Sequence, residues 1–215
     1  MHLFLIVATA HFLALLSPGP DFFLIARTSL AAGWRRAAGA CLGIALANGV
    51  FITGAFAGVS AMQPDSALFG LTQLAGGLYL LYLGWQFVRF AGATPLGAAN
   101  QGGGAATGLA QAVASGFLSG ILNPKNALFY ASLAAMLSGP HASAPWKVAY
   151  GVWMFAAVLG WDLLVAVSIG HARVLRRFSR ALPKLERAAG GMLIVFGAGV
   201  LVVVGRRAIG AMQRL

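Results

Sequence analysis

The sequence predicts an all-α polytopic membrane protein: six transmembrane helices arranged as two inverted three-helix repeats, with the first and fourth helices broken. Three observations predict it. Hydrophobic residues make up 60% of the 215 and charged residues only 9%, with a mean hydropathy of +0.83. A soluble domain carries roughly 25% charged residues and must present much of its surface to water, so a soluble fold is excluded. The apolar residues gather into six blocks, about 3–32, 38–62, 67–90, 109–138, 146–170 and 189–205. Two of those blocks, the first and the fourth, are interrupted near their middles by polar and helix-breaking residues.

Block one runs apolar over 3–16 and then meets Ser17-Pro18-Gly19-Pro20-Asp21. No Lys or Arg precedes the apolar run and no small-residue cleavage site follows it, so it reads as a retained first span rather than a signal peptide. Blocks two, three, five and six each suit a single helix of about 20 residues with some tilt. Block four runs apolar over 109–122 and then meets Asn123-Pro124-Lys125-Asn126. Fourteen helical residues rise only about 21 Å, less than a hydrocarbon core of about 30 Å, so both breaks are expected inside the membrane.

The broken blocks resemble each other. Leu15-Leu16-Ser17-Pro18 aligns with Ile121-Leu122-Asn123-Pro124 at an offset of 106 residues. Three spans separate the blocks, and an odd number reverses orientation, which is the plan of an inverted repeat with paired discontinuous helices. A single membrane domain follows: repeat one over 1–90, a glycine-rich linker over 91–108, and repeat two over 109–215.

Net charge is +11, from 15 Lys and Arg against 4 Asp and Glu. The basic residues lie mostly between apolar blocks, so they are topology signals rather than a nucleic-acid surface. Arg27, Arg35, Arg36, Arg89, Arg173, Arg176, Arg177, Arg180, Lys184 and Arg187 fall on one side. Lys147, Arg206, Arg207 and Arg214 fall on the other. With six spans, both termini are then extracytoplasmic; a five-span reading puts them on opposite sides. Residues 173–187 form an amphipathic stretch suited to anionic headgroups. The single Cys41 excludes a disulfide or redox pair within the chain. The four histidines lack ligand spacing, so no metal and no cofactor are expected.

Charge inside a bilayer is costly, roughly 2.5–3.5 kcal/mol per residue on insertion scales, and marks sites. Three such residues stand out: Asp21, Lys125 and Asp162. Gly19 and Pro20, with Pro18, stop a regular helix and free backbone carbonyls for an ammonium group. The half-helix that follows offers bare N–H groups to a carboxylate. Asp21 can strengthen the ammonium site, exchange a proton, or cap that half-helix. Lys125, after Pro124, can pair a carboxylate, either the substrate's or that of Asp21. Asn123 and Asn126 can orient a zwitterion. Asp162, in the middle of block five, is a candidate proton carrier because an unpaired buried carboxyl favours its neutral form; the alternative is a structural pair with Lys125 or a hydroxyl. Asn48 and Gln86 are intramembrane amides that line the path or bond between helices. The glycines Gly39, Gly43, Gly76, Gly77, Gly190, Gly191, Gly197 and Gly199 are expected to permit close helix packing.

With these residues in view, the sequence resembles the LysE/RhtB family of bacterial amino-acid exporters. The resemblance rests on Ser17-Pro18-Gly19-Pro20-Asp21-Phe22-Phe23, Gly39-Ala40-Cys41-Leu42-Gly43, Gly77-Leu78-Tyr79-Leu80-Leu81-Tyr82-Leu83-Gly84-Trp85, and Gly116 through Asn123-Pro124-Lys125-Asn126 to Phe129. Gly190-Gly191-Met192-Leu193-Ile194 and Gly197 extend it into the last block. It covers nearly the whole chain except 91–108. The resemblance implies an inner-membrane carrier exporting amino acids, driven by the proton gradient, with Pro18, Gly19, Pro20, Asn123, Pro124 and Lys125 as site positions. Asp162 rests on the physical argument alone.

The expected function is therefore secondary active export of small neutral amino acids or derivatives by proton antiport, not enzymic catalysis. The alternative is a non-transporting membrane subunit or an exporter of another small solute. An intramembrane enzyme would need a Cys pair, a ligating His set or a nucleophile with its base, and the sequence supplies none. Expected partners are an amino acid, protons and membrane lipids, with a homodimer as an allowed assembly and no nucleic acid.

Overall fold

The computed structural model describes residues 2–16, 19–63, 66–93, 108–136, 143–169 and 172–212. Ser17, Pro18, most of the linker (94–107) and the side chains of Arg173 and Arg176 lie outside them. The described residues form eight helices and no strand: α1 (His2–Leu15), α2 (Pro20–Ala32), α3 (Trp34–Ala61), α4 (Ala67–Arg89), α5 (Leu109–Ile121), α6 (Pro124–Met136), α7 (Ala144–Ile169) and α8 (Ala172–Met212).

Both expected breaks are present. Proline sits at the start of α2, where its missing N–H and fixed φ suit the first helical turn. At the second break, Asn123 caps α6: its Oδ1 accepts the Lys125 backbone N–H at 3.1 Å. Gly33 joins α2 to α3 with φ of 82°, the left-handed region that glycine adopts without strain, and donates its N–H to Ser29 O.

Among the described residues, four of the expected six spans stand out by length and composition, five with the first bent pair. Trp34–Ala61, Ala67–Arg89, Ala144–Ile169 and Arg180–Arg207 are each long and apolar enough to cross a membrane. α1 and α2 together qualify as a fifth span, bent by 53°. α5 and α6 have 13 residues each, a rise of about 20 Å apiece, so neither qualifies by length alone. The amphipathic stretch 173–187 forms the first turns of α8, a 41-residue helix that continues into the last apolar block and holds Pro183 in its interior.

Two helix crossings organise the bundle. α3 packs on α5 through glycines: a methyl group at Gly43 or Gly116 would overlap the Val113 or Ala40 carbonyl oxygen of the partner helix. α4 packs on α8 in the same way. A Cβ at Gly84 would lie 2.6 Å from Gly190 O, and one at Gly190 would lie 2.6 Å from Gly84 O. In lipid, where there is little hydrophobic drive between helices, such close backbone approach supplies the packing. Gly191 and Gly199 break the expectation, since a Cβ at either meets nothing within 4 Å. They face away from the described helices because the close-packed stripe of α8 falls on Gly190 and Gly197.

The apolar interior divides into two clusters. One gathers Phe56, Leu80, Phe87, Phe129, Tyr130, Tyr150 and Met154. The other gathers Phe22, Ile25, Cys41, Ile44, Val158 and Ile169. The outer face is apolar too, with Val195 71% and Val152 65% exposed. An apolar belt of that kind suits a hydrocarbon solvent and not water.

Candidate functional site

Between the two clusters lies a cavity of about 60 Å³, walled by both breaks and by α3 and α7. Asp21 is its centre. As the second residue of α2 it stands at the first break, and its carboxylate reaches across to the second. Ser119 Oγ donates to Asp21 Oδ1 at 2.5 Å, while Asn123 Nδ2 and Asn126 Nδ2 donate to Oδ2 at 3.2 and 3.0 Å. The N-cap of α2 is Gly19, which makes no side-chain capping bond, and Asp21 stands in the helix's first turn. The break residues, separated by about a hundred positions in sequence, therefore form one polar cluster.

Asn123 is fixed from both ends of its amide. Its Oδ1 takes the Lys125 backbone N–H and its Nδ2 is donated to Asp21. Asn126 divides its amide donors between Asp21 and Gly120 O. Three neutral donors thus hold the carboxylate, and each hydrogen bond to a charged group is worth about 1.5–3 kcal/mol.

Asp162 faces the same cavity from α7. It is buried, and among the described residues its Oδ2 has no hydrogen-bond partner. An acceptor left so costs about 1–3 kcal/mol, which is tolerated where a ligand or proton supplies the missing bond. The expected structural pair between Asp162 and Lys125 is not formed. Nor does Lys125 pair with Asp21: its ammonium packs over the Phe87 ring, 4.8 Å from the centroid, a cation–π contact on the far side of the break. The lysine backbone follows Pro124 into the first turn of α6, and that direction carries its side chain towards α4.

Asn48 lines the cavity, but its Nδ2 bonds Ile44 O of its own helix at 2.8 Å rather than a neighbouring helix. Gln86 likewise bonds within its helix, to the Tyr82 hydroxyl. Gly19 lines the cavity, Pro20 is exposed and lines none, and Pro124 borders a second cavity on the Lys125 side. Pro18 lies outside the described residues.

Sequence reasoning missed four residues here: Ser119, Tyr130, Trp161 and His11. Ser119, a hydroxyl in the last turn of α5 four positions before Asn123, was the available signal. Tyr130 and Trp161 read as span aromatics. His11 reads as scattered, yet it is fully buried, with Nε2 3.1 Å from the Tyr130 hydroxyl and Nδ1 without a partner among the described residues.

A cavity of 60 Å³ admits a few waters at about 10–15 Å³ each by the same measure. Asp21, Asn123, Asn126 and Asp162 bring polar groups into it beside the apolar Phe22, Ile44 and Val158.

The pattern of the LysE type translocator family matches residues 12–203. The chain is similar to the threonine efflux protein of Salmonella typhimurium (28% identical, covering 94% of this chain and 98% of that one). It is also similar to the threonine efflux protein of Escherichia coli K12 (26%, covering 93% and 98%) and to the leucine efflux protein of Klebsiella pneumoniae (24%, covering 84% and 85%). No solved structure matches the chain with significance.

Proposed function

The chain belongs to the LysE type translocator family, and on that premise we propose that it exports small neutral amino acids from the cytoplasm across the bacterial inner membrane by proton antiport. Members of this family are transporters, not enzymes. The relatives named for threonine and leucine efflux span nearly its whole length, which supports a neutral amino acid as cargo. The few intramembrane acids disfavour a dibasic one.

The observation that carries the reading is the Asp21 cluster. One carboxylate is held by donors from the opposite break, and a second, Asp162, reaches the same cavity with an oxygen unpartnered among the described residues. In the mechanism we propose, the cavity opens by rocking of one repeat against the other. The amino-acid ammonium then meets Asp21 and Asp162. Its carboxylate meets Lys125, the amides of Asn123 and Asn126, and the N-terminal N–H groups of α2 beside Gly19. Asn48 borders the same space. Asp162, with Asp21, exchanges the coupling proton. Pro20 and Pro124, each the first residue of the helix after a break, have no N–H to continue a preceding helix, and Pro18 stays a candidate site position.

Helix neighbours support two inverted repeats, residues 1–90 and 109–215. α3 contacts α5 and α6, as α7 contacts α1 and α2; and the pairs α3–α7 and α4–α8, which a two-fold exchange maps onto themselves, are both in contact. On this reading α5 and α6 together make the sixth span.

The test is amino-acid efflux from dipeptide-loaded cells with and without the chain, with a protonophore in parallel. Faster efflux of a neutral amino acid, abolished by the protonophore, is expected. No response from any amino acid at confirmed membrane expression would overturn the reading in favour of another solute or a subunit role.

A further inference from the structure

A second, larger cavity of about 370 Å³ lies on the other side of the α5–α6 break, lined by α4, the first turns of α6 and Glu186 of α8. Lys125 and Gly19 border both cavities, so the break is the wall between them. The Lys125 ammonium projects onto its Phe87 wall. Opposite stands Glu186 of α8, 4% exposed, one of the four acidic residues in the chain. Its Oε2 accepts the Gly92 N–H at 2.7 Å, and that bond joins the carboxylate to the turn after α4. Gly92 holds φ of 77°, and a Cβ there would lie 2.8 Å from Pro183 Cγ, so the turn is built to seat on α8 beside Glu186. Tyr79 closes the inner end through its hydroxyl, 3.5 Å from Lys125 O.

An ammonium and a carboxylate thus face one cavity without forming an ion pair within 4 Å, among the described residues. Buried charges normally pair or are matched by a ligand. A ligand with an ammonium at one end and an anionic oxygen at the other matches both. The volume falls in the range of small-molecule sites, about 300–1,000 Å³, whereas the Asp21 cavity holds only waters. Arg89, Lys184 and Arg187, next to or near the lining residues Phe90 and Glu186 in sequence, are exposed, and the expected topology puts them on the cytoplasmic side.

We propose that this cavity is a separate loading site for a zwitterionic amino acid, with Lys125 taking its carboxylate, Glu186 its ammonium, and Tyr79 and Phe87 packing its side chain. Lys125, shared by both cavities, then passes the carboxylate across the break to the Asp21 site. The inference rests on the export reading for the identity of the ligand.

The experiment uses the full chain in phosphatidylglycerol nanodiscs, whose lipid carries no ammonium, with radiolabelled threonine and leucine as probes. Glu186→Gln removes the charge but keeps an acceptor for Gly92. Wild type is expected to bind two amino acids per chain, Glu186→Gln one, and Asp21→Asn one. In efflux, Glu186→Gln should raise KM about tenfold with kcat within twofold. One amino acid per chain in wild type, or an unchanged KM in Glu186→Gln with normal wild-type efflux, overturns the loading site alone. Absence of wild-type efflux and binding overturns the export reading together with it. If phosphatidylethanolamine displaces the second amino acid and itself requires Glu186, the cavity is a lipid headgroup site and the loading role is overturned.

Discussion

Asp21 on α2 accepts a 3.0 Å hydrogen bond from Asn126 on α6, a residue 105 positions further along the chain. That bond, with those from Asn123 and Ser119, ties the two helix breaks into one polar cluster. Any motion that separates the breaks must exchange these bonds for others. A substrate ammonium competes for the same carboxylate oxygens, so binding and separation of the breaks are coupled.

Asp21→Asn should abolish efflux while leaving the chain folded. The amide would turn an NH2 group towards Ser119, Asn123 or Asn126, all of which donate to the native carboxylate. With charge-assisted bonds worth about 1.5–3 kcal/mol each, a loss of at least tenfold in efflux is expected. Full efflux at normal membrane abundance would remove Asp21 from the mechanism.

Asp162→Asn is expected to separate coupling from transport. Its Oδ2 has no partner among the described residues, so the amide disturbs packing little. Downhill efflux should persist, while accumulation against a gradient and sensitivity to a protonophore should fall. Counterflow measured with and without a pH gradient checks this. Retained proton dependence would assign coupling elsewhere.

Lys125→Met keeps the length and apolar stem that packs on Phe87 but removes the ammonium. Loss of one charge-assisted contact to the substrate carboxylate predicts a rise in KM of about 10- to 100-fold, the equivalent of about 1.5–3 kcal/mol. Steady-state efflux over a concentration series reads it. A normal KM with lowered abundance would make the lysine structural.

Packing gives an internal control. Gly84→Leu and Gly116→Leu each drive a side chain into a facing backbone, at Gly190 and Ala40 respectively. Overpacking typically costs about 1–3 kcal/mol, so lower thermal stability in detergent is expected. Gly199→Ala meets nothing within 4 Å and should leave stability unchanged. Equal effects of all three substitutions would contradict the assigned crossings.

Much of this protein was legible in one dimension. Composition alone fixed an apolar helical membrane chain, because hydrocarbon accepts only segments that satisfy their own backbone groups. Local chemistry placed both breaks, since Pro20, Pro124 and Asn123 act on the backbone within a turn of themselves. Asp21, Asn123 and Asn126 were readable as site candidates because polar groups are costly where they stand. What the sequence could not show was direction and partnership. Lys125 is a plausible partner for Asp21 and for Asp162 on paper, yet it turns to Phe87, and Asp162 keeps an oxygen without a partner among the described residues. Glu186 reads as one acid in a basic stretch until α8 carries that stretch against the turn at Gly92. Gly190 and Gly191 are indistinguishable in sequence, and only the crossing with α4 decides which one touches backbone. Propensity and polarity act within a few residues and are written locally. Which groups meet depends on the rotation and crossing of whole helices, set by contacts among residues about a hundred positions apart.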